Sequence, residues 1–180
     1  MSKKRFTATK IATLGVLTAL SLITFLIENL FPPLFIPGAK LGLANIFSFI
    51  ALVLYTPWEA FLIVAVRTIL GAIFAGNLSA VLYSFTGGIA AMTVSSLLLY
   101  LVHPKISLCG VSVVAAVIHN LTQNAVFALL TGTTMVFAYA PYLALIGVLS
   151  GAFIGATVTL IVKRVPESAF YKFLGVKKNI

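Results

Sequence analysis

The side chains of this sequence that are best suited to chemistry lie inside stretches that are otherwise apolar. One apolar run contains four polar residues within positions 119–124, namely His119, Asn120, Gln123 and Asn124. Helical residues four apart are neighbours on one face, so the two pairs form a polar ridge more than one residue wide. A single amide is common between packed membrane helices, whereas four polar groups exceed what packing needs. The ridge therefore favours a solute-binding site.

Another apolar run carries Arg67 near its centre. An arginine at the centre of a membrane helix costs about 2.5–3.5 kcal/mol on insertion scales, so Arg67 should face the interior of a helical bundle and have a partner. Glu28 is one candidate, in which case the pair is a structural tie between helices. The other interpretation is that Arg67 binds a phosphate or a carboxylate, and the sequence weighs the two evenly.

The segment 31–45 interrupts the apolar pattern with prolines at positions 32, 33 and 37. Proline cannot continue a helix, so this segment is predicted to be a stiff loop that caps a bound solute. Lys40 and Asn45 then place a charge and an amide at the start of the next apolar run. The predicted substrate-binding residues are therefore Lys40, Asn45, Arg67, His119, Asn120, Gln123 and Asn124.

The elements that must hold these residues are membrane helices. Hydrophobic residues make up 61% of the 180 positions, charged residues make up 8%, and the mean hydropathy is +1.16. A soluble domain has about 25% charged residues, and about 20 apolar residues cross a bilayer. The turn Thr56-Pro57-Trp58-Glu59 is the expected fold-back point of the long run 41–75. The sequence predicts an all-α integral membrane protein, a bundle of six transmembrane helices at roughly 10–31, 41–56, 58–75, 79–102, 107–131 and 136–162.

The basic residues predict the orientation of this bundle. They cluster before the first helix and after the last one, and Lys105 lies between the fourth and the fifth. Six spans bring all of them to one face, which the positive-inside rule makes cytoplasmic. We expect a multi-pass plasma-membrane protein with a basic cytoplasmic segment 1–9, a membrane domain 10–165 and a basic cytoplasmic tail 166–180. The net charge of +9 is thus a topology signal, and no nucleic-acid partner is expected.

Small residues recur four apart in the first and sixth predicted helices and, at Gly71 and Ala75, in the third, where they let another backbone come close. The sixth helix carries Gly147, Gly151, Gly155 and Thr159, and internal packing is the preferred interpretation there. Docking of a partner membrane protein is the preferred interpretation for the first helix, which carries Gly15 and Ala19, with Ala8 and Ala12, also four apart, just before them.

The acidic residues limit what the chain can catalyse. The sequence has no Asp, and its three acids are Glu28, Glu59 and Glu167. It has neither paired carboxylates for magnesium nor a phosphate-cradling Gly-rich loop, so ATP hydrolysis and metal-dependent prenyl transfer are not expected. The sequence therefore predicts a protein that is not an enzyme and that carries no cofactor and no metal ion.

Two runs give the chain a family resemblance. The run Ile36-Pro-Gly-Ala-Lys-Leu-Gly-Leu-Ala-Asn45, followed by Arg67-Thr-Ile-Leu-Gly71, resembles the family labelled heptaprenyl diphosphate synthase component I, also called Gx transporters. That family looks related to the substrate-binding S components of energy-coupling factor (ECF) vitamin transporters, and the resemblance covers about positions 10–165.

The resemblance implies an S-component fold that binds its substrate near the outer face, beneath the loop after the first helix. It also implies a partner module of one membrane coupling subunit and two cytoplasmic ATPases. S components dock through an Ala-x-x-x-Ala motif on the first helix. Ala8-Thr-Lys-Ile-Ala12 matches this motif by letter at the very start of the helix, and Gly15-Val-Leu-Thr-Ala19 is a deeper variant.

Three functions follow as hypotheses. The leading one is a membrane subunit that captures a small vitamin-like or cofactor-like solute for uptake, with flavins as the first guess. The second is a non-catalytic membrane subunit that anchors or regulates a prenyl diphosphate synthase. The third is a gradient-driven carrier, for which Glu28 is the plausible coupling carboxylate, although the chain shows no clear inverted repeat.

Overall fold

The computed structural model describes residues 8–30, 41–76 and 79–165, and this part of the chain is entirely helical. Five of its helices are long and apolar enough to cross a membrane. The predicted all-α membrane bundle is therefore confirmed. The helices are α1 (Ala8–Leu30), α2 (Asn45–Leu54), α3 (Pro57–Ala75), α4 (Ser79–Leu101), α5 (Leu108–Thr131), a 3-10 helix (Met135–Tyr139) and α6 (Ala140–Arg164).

The second helix is shorter than the predicted span 41–56. It has ten residues, which rise about 15 Å, half of the roughly 30 Å hydrocarbon core. Gly42 starts it with a turn in which the Asn45 N–H donates to the Gly42 carbonyl at 2.9 Å. Gly42 has φ +69°, a conformation that residues with a Cβ rarely adopt. This turn delays the start of α2 by four residues relative to the prediction.

The position of α2 along the bundle follows from two contacts with α1. The Ser21 hydroxyl, beyond the middle of α1, donates to the Ala44 carbonyl at 2.9 Å. At the other end of α2, the Lys10 ammonium lies 5.4 Å from the centre of the Tyr55 ring. We call this end of the bundle the Lys10 end and the opposite one the Glu28 end. The N-terminus of α2 thus lies deep inside the bundle, and the helix runs from there to the Lys10 end.

The core forms around α2, which packs against α1, α3, α4 and α6. Every α2 residue from Ser48 to Leu54 is buried. Phe49 and Leu52 are among the largest fully buried side chains of the described residues, and they meet Ile63 of α3 and Val111 of α5 in one apolar cluster. Eight of the ten α2 residues are buried, so the helix is apolar enough to resemble a membrane span. Its length is only about half that of a span.

The predicted fold-back point is confirmed. α2 ends at Leu54 and α3 begins at Pro57, where the missing proline N–H is harmless because the first turn of a helix leaves it unbonded. The Glu59 carboxylate accepts hydrogen bonds from the Thr56 hydroxyl and from the Lys10 ammonium. This buried ion pair ties the start of α1 to the start of α3 at the Lys10 end.

The small-residue stripe of α6 packs against α5, as the sequence predicts. A Cβ on Gly151 would lie 2.6 Å from the Val113 Cα, and one on Gly155 would lie 2.5 Å from the Cys109 Cα. Both neighbours are backbone atoms, which cannot rotate away as a flexible side chain can. The glycines therefore set the distance between α5 and α6.

The corresponding stripe of α1 is exposed. Ala8, Ala12, Gly15 and Ala19 all lie on the outer surface, and a Cβ on Gly15 would meet nothing within 4 Å. In the most apolar 18-residue stretch of α1, only 17% is buried inside the bundle. In the other four long helices of the described chain, the corresponding share is 33–44%. This face of α1 is open to lipid or to a partner, so the docking hypothesis for it stays a prediction.

We expect Gly151→Leu to destabilise the protein, because its side chain would push α5 and α6 apart. Overpacking of this kind costs about 1–3 kcal/mol or more. Gly15→Leu is the matched control, and we expect it to stay within about 0.5 kcal/mol of the wild type, as exposed substitutions do. Thermal unfolding in detergent measures both variants. Equal loss of stability in the two would show that the α5–α6 contact is looser than the structure has it.

Candidate functional site

The polar interior of the bundle surrounds a small cavity between Asn45 at the start of α2 and the middle of α3. The cavity is small. The centre of a water-sized molecule can occupy about 10 Å³ within it, so there is room for little more than one such molecule. Five helices, or the turns that begin them, contribute to its wall. The lining residues are Phe25, Glu28, Gly42, Asn45, Arg67, Ser84, His119 and Gln123.

Arg67 is the charged centre of this cavity. Its side chain is 3% exposed, so the predicted inward orientation is confirmed. The Arg67 Nη2 donates to the Asn45 Oδ1 at 3.0 Å, and its Cζ lies 5.9 Å from the centre of the Phe25 ring, within cation–π range. Arg67 is thus held by a neutral amide and an aromatic face, neither of which neutralises its charge.

Glu28 supplies the negative charge near Arg67. Its Oε1 accepts a hydrogen bond from the Leu43 N–H at 2.8 Å, and its carboxylate is close enough to attract the Arg67 guanidinium. Glu28 therefore does two things at once: it holds the turn that leads into α2, and it offsets the charge of Arg67. The structural-tie interpretation of Arg67 and the anion-binding one both find support in this arrangement.

Three polar atoms at the cavity wall have no hydrogen-bond partner among the residues that the structure describes. They are the Arg67 Nε, the Ser84 hydroxyl and the Gln123 Oε1. Each belongs to a side chain that is at most 4% exposed. A buried polar group without a partner costs about 1–3 kcal/mol, so these atoms call for water or for a polar ligand. One is a donor, one is an acceptor and the hydroxyl is both.

The polar ridge of α5 divides into two pairs with different neighbours. His119 and Gln123 line the cavity. The other pair faces α6: the Asn120 Nδ2 donates to the Leu143 carbonyl and the Asn124 Nδ2 donates to the Val136 carbonyl, each at 3.1 Å. The second pair therefore ties α5 to α6 and to the 3-10 helix that precedes it.

The structure brings together four of the seven predicted substrate-binding residues, namely Asn45, Arg67, His119 and Gln123. Asn120 and Asn124 lie on the neighbouring face of α5, and Lys40 lies outside the described residues. The four predicted docking residues of α1 lie on the surface, away from the cavity. The cavity and the predicted docking face are thus separate regions, joined by α1.

A pair of glycines in α4 makes room for the site. A Cβ on Gly87 would lie 2.6 Å from the Gln123 Cγ and 3.1 Å from the His119 carbonyl oxygen. A Cβ on Gly88 would lie 2.6 Å from a methyl group of Val64, one turn before Arg67. Sequence reasoning missed both glycines, although an adjacent Gly-Gly pair inside an apolar helix is a visible sign of close helix approach.

A second cavity lies on the Lys10 side of Asn45. By the same measure it offers about 20 Å³, twice the space of the first cavity. Its wall includes Asn45, Phe49, Ser95 and Ser112. The Ser95 hydroxyl has no hydrogen-bond partner in the described part of the chain. Asn45 therefore borders both cavities, and Arg67 holds its side chain by a hydrogen bond.

We expect substitutions of the two α5 pairs to change stability in different directions. Asn120→Leu removes a tie to α6, and interhelical hydrogen bonds in membranes contribute about 0.6 kcal/mol, with a maximum near 1.7. Gln123→Met removes an acceptor that has no partner among the described residues, so it should be neutral or stabilising. Thermal unfolding of the ligand-free protein in detergent measures both. A larger loss for Gln123→Met than for Asn120→Leu would contradict this division of the ridge.

The sequence matches the model of the family described as heptaprenyl diphosphate synthase component I over residues 17–161, a range that includes every residue of the cavity wall. The match covers most of the chain, so the protein belongs to this family. A search of curated proteins found no match.

Proposed function

We propose that this member of the heptaprenyl diphosphate synthase component I family is the solute-capturing membrane subunit of an uptake system, similar to the S components of ECF transporters. Its solute is a small vitamin-like or cofactor-like molecule, and a flavin is the first candidate. The chain does no chemistry on the solute. A partner module, made of a membrane coupling subunit and two ATPases, supplies the energy.

The observation that carries this proposal is the set of polar atoms around Arg67 that have no hydrogen-bond partner among the described residues. A subunit that serves only as an anchor needs close helix packing, which the α5–α6 contact already provides. It does not need a buried guanidinium nitrogen, a hydroxyl and an amide oxygen turned towards one small cavity. Intramembrane charges are functional candidates by default, and this one comes with groups that suit a polar ligand.

The orientation of the bundle supports capture from outside. The positive-inside rule assigns the Lys10 end to the cytoplasm, so the Glu28 end, with the cavity nearby, faces outwards. Ligand pockets are typically about 300–1,000 Å³, far more than the cavity offers. We therefore propose that the solute enters from the Glu28 end and that the helices around Arg67 part to admit it.

The exposed face of α1 is the proposed surface for the partner. Its small residues allow a second helix to approach closely, and its apolar side chains Ile11, Val16, Ile23 and Ile27 are each about half exposed or more. The same helix holds Phe25 and Glu28 against the cavity. Movement of α1 on docking would therefore displace Phe25 and Glu28 and change the shape of the cavity.

The name of the family favours a second candidate. Its description as a component of heptaprenyl diphosphate synthase suggests a membrane subunit that binds a synthase. Such a subunit would use the exposed face of α1 for docking and would not require a ligand in the cavity. Co-purification of a soluble prenyl synthase, without a bound solute, would favour this candidate.

We expect the protein, purified in mild detergent and then denatured, to release a small molecule in stoichiometric amount that mass spectrometry identifies. Arg67→Gln and Gln123→Met should each weaken binding of that molecule about 10–100-fold, because each removes a hydrogen bond made in a buried site. Asn120→Leu is the control and should bind as the wild type does. A blank from the wild type, repeated after incubation with a panel of vitamins, would move the conclusion to the synthase-binding candidate.

We expect Gly15→Leu combined with Ala19→Leu to abolish co-purification of the partner while leaving solute binding intact. The added side chains project from an exposed face, so folding should be unaffected. Ala156→Leu, at an exposed alanine of α6, is the matched control. Identifying the partner by mass spectrometry separates a coupling subunit from a prenyl synthase. Retention of the partner by the double variant would rule out this face as the docking surface.

A further inference from the structure

We propose that the N-terminus of α2 and Arg67 together bind an oxyanion of the solute, and that the Glu28 carboxylate occupies this place when no solute is bound. The inference rests on the proposed capture function and deepens it, because it names the chemical group that the site recognises. It also assigns Glu28 a role as an internal competitor, which is different from a permanent partner of Arg67.

The N-terminus of α2 lies inside the bundle. The N-terminal end of a helix carries a partial positive charge, equivalent to about half an elementary charge. In most membrane helices this end lies at the surface, where water and salt screen it. The N-terminus of α2 lies at the level of Ser21, deep in an apolar bundle, where screening is weak. Interrupted helices of membrane transporters direct such ends at anionic groups of their substrates.

Arg67 favours an anion independently of the helix. The Arg67 side chain is 3% exposed and lines the same cavity as Gly42 and Asn45. Its Nη2 is bonded to Asn45, but its Nε has no partner among the described residues. A guanidinium binds carboxylates and phosphates through two parallel N–H groups. A full positive charge with an unused donor thus stands beside the positive end of α2.

A carboxylate already lies at the start of α2, in the same cavity wall as Arg67. The Glu28 Oε1 accepts the Leu43 N–H at 2.8 Å, two residues before α2 begins, and the side chain also lines the cavity. The structure therefore contains an oxyanion bound at the start of α2 and electrostatically linked to Arg67. A carboxylate or phosphate of the solute has the same chemistry and would compete for the same groups.

Charge balance requires that the two oxyanions exchange. The described wall of the cavity carries one formal positive charge, on Arg67, and one formal negative charge, on Glu28. A second anion beside Glu28 would leave an excess of negative charge in a region of low dielectric constant, where like charges repel strongly. Exchange keeps the region neutral, because Glu28 is half-buried near the end of α1 and can turn towards water.

The Gln123 and Ser84 oxygens, which have no hydrogen-bond partner in the described part of the chain, define the neighbouring part of the solute. The Gln123 Oε1 accepts hydrogen bonds only, so it requires an N–H or an O–H group. The Ser84 hydroxyl can meet either a donor or an acceptor. The solute class is therefore a small molecule in which a carboxylate or phosphate lies close to a hydrogen-bond donor.

The test uses the full-length protein in a non-ionic detergent, with inorganic phosphate and acetate as probes against sodium chloride of equal ionic strength. We expect either probe to raise the midpoint of thermal unfolding in a concentration-dependent way, because a ligand of the folded state stabilises it. Glu28→Gln should lower the concentration for half of this effect roughly tenfold, since it removes the competitor. Arg67→Gln should abolish the effect.

Two further variants keep the experiment decisive. Glu167→Gln removes the same charge from the tail, so it controls for a general increase in anion attraction and should behave as the wild type does. If Arg67→Gln does not fold, Arg67→Lys retains the charge without the Nε–H, and its half-effect concentration should rise. An unchanged value in Glu28→Gln, or a full response in the Arg67 variants, would overturn the proposal.

The source of the anion is tested by transferring the protein to nanodiscs with and without phosphatidylglycerol. Stabilisation by this lipid, with no response to phosphate or acetate, would assign the site to a lipid headgroup and overturn the proposal for a solute. The outcome is separable from that of the capture function. A captured solute that binds equally well to Arg67→Gln would refute the oxyanion site alone, whereas a response that depends on Glu28 and Arg67 in a protein that captures no solute would refute capture alone.

Discussion

The burial of one guanidinium group in an apolar bundle is the constraint on which the rest of this structure depends. Arg67 lies at the middle of a membrane helix and is almost completely enclosed. The guanidinium group is surrounded by an amide from α2 and by an aromatic ring and a carboxylate from α1. Small residues in α4 let the helices pack closely around it. These contacts constrain the position of two helices. α2 must begin at the depth of Arg67, and α1 must keep Phe25 and Glu28 on its inner face.

This arrangement links the surface of the protein to its interior through α1. The outer face of the helix is the least covered of the membrane spans in the described chain, while its inner face holds the turn before α2 through Ser21 and Glu28. A helix with few neighbours is easier to displace than one packed on all sides. A force applied to the outer face would therefore move the start of α2, and with it Asn45, before it disturbed the tightly packed pair α5 and α6.

The sequence predicts the parts of this structure that depend on local rules. Hydropathy locates the long helices, the insertion cost of arginine turns Arg67 inwards, and Pro57 marks the fold-back. What it misses depends on tertiary neighbours. α2 is apolar apart from Asn45 and Ser48, so composition cannot reveal that a turn at Gly42 and a bond from Ser21 delay its start. The helical period separates the two pairs of polar residues on α5, but only the position of α6 decides that Asn120 and Asn124 are ties while His119 and Gln123 face the cavity.

The two candidate functions differ in what they require of the interior. In both proposals, docking to a synthase or to a coupling subunit would use the outer face of α1 and would place no demand on the groups around Arg67. Three buried polar atoms without partners among the described residues, at about 1–3 kcal/mol each, would together lower stability by several kcal/mol, a large fraction of the 5–15 kcal/mol typical of folded domains. Apolar side chains of similar shape would remove that penalty. One water relieves part of it, but the donor of Arg67 and the acceptor of Gln123 are complementary to a molecule that carries both an anionic group and a donor. These groups therefore support the proposed ligand-binding function more than the anchoring one.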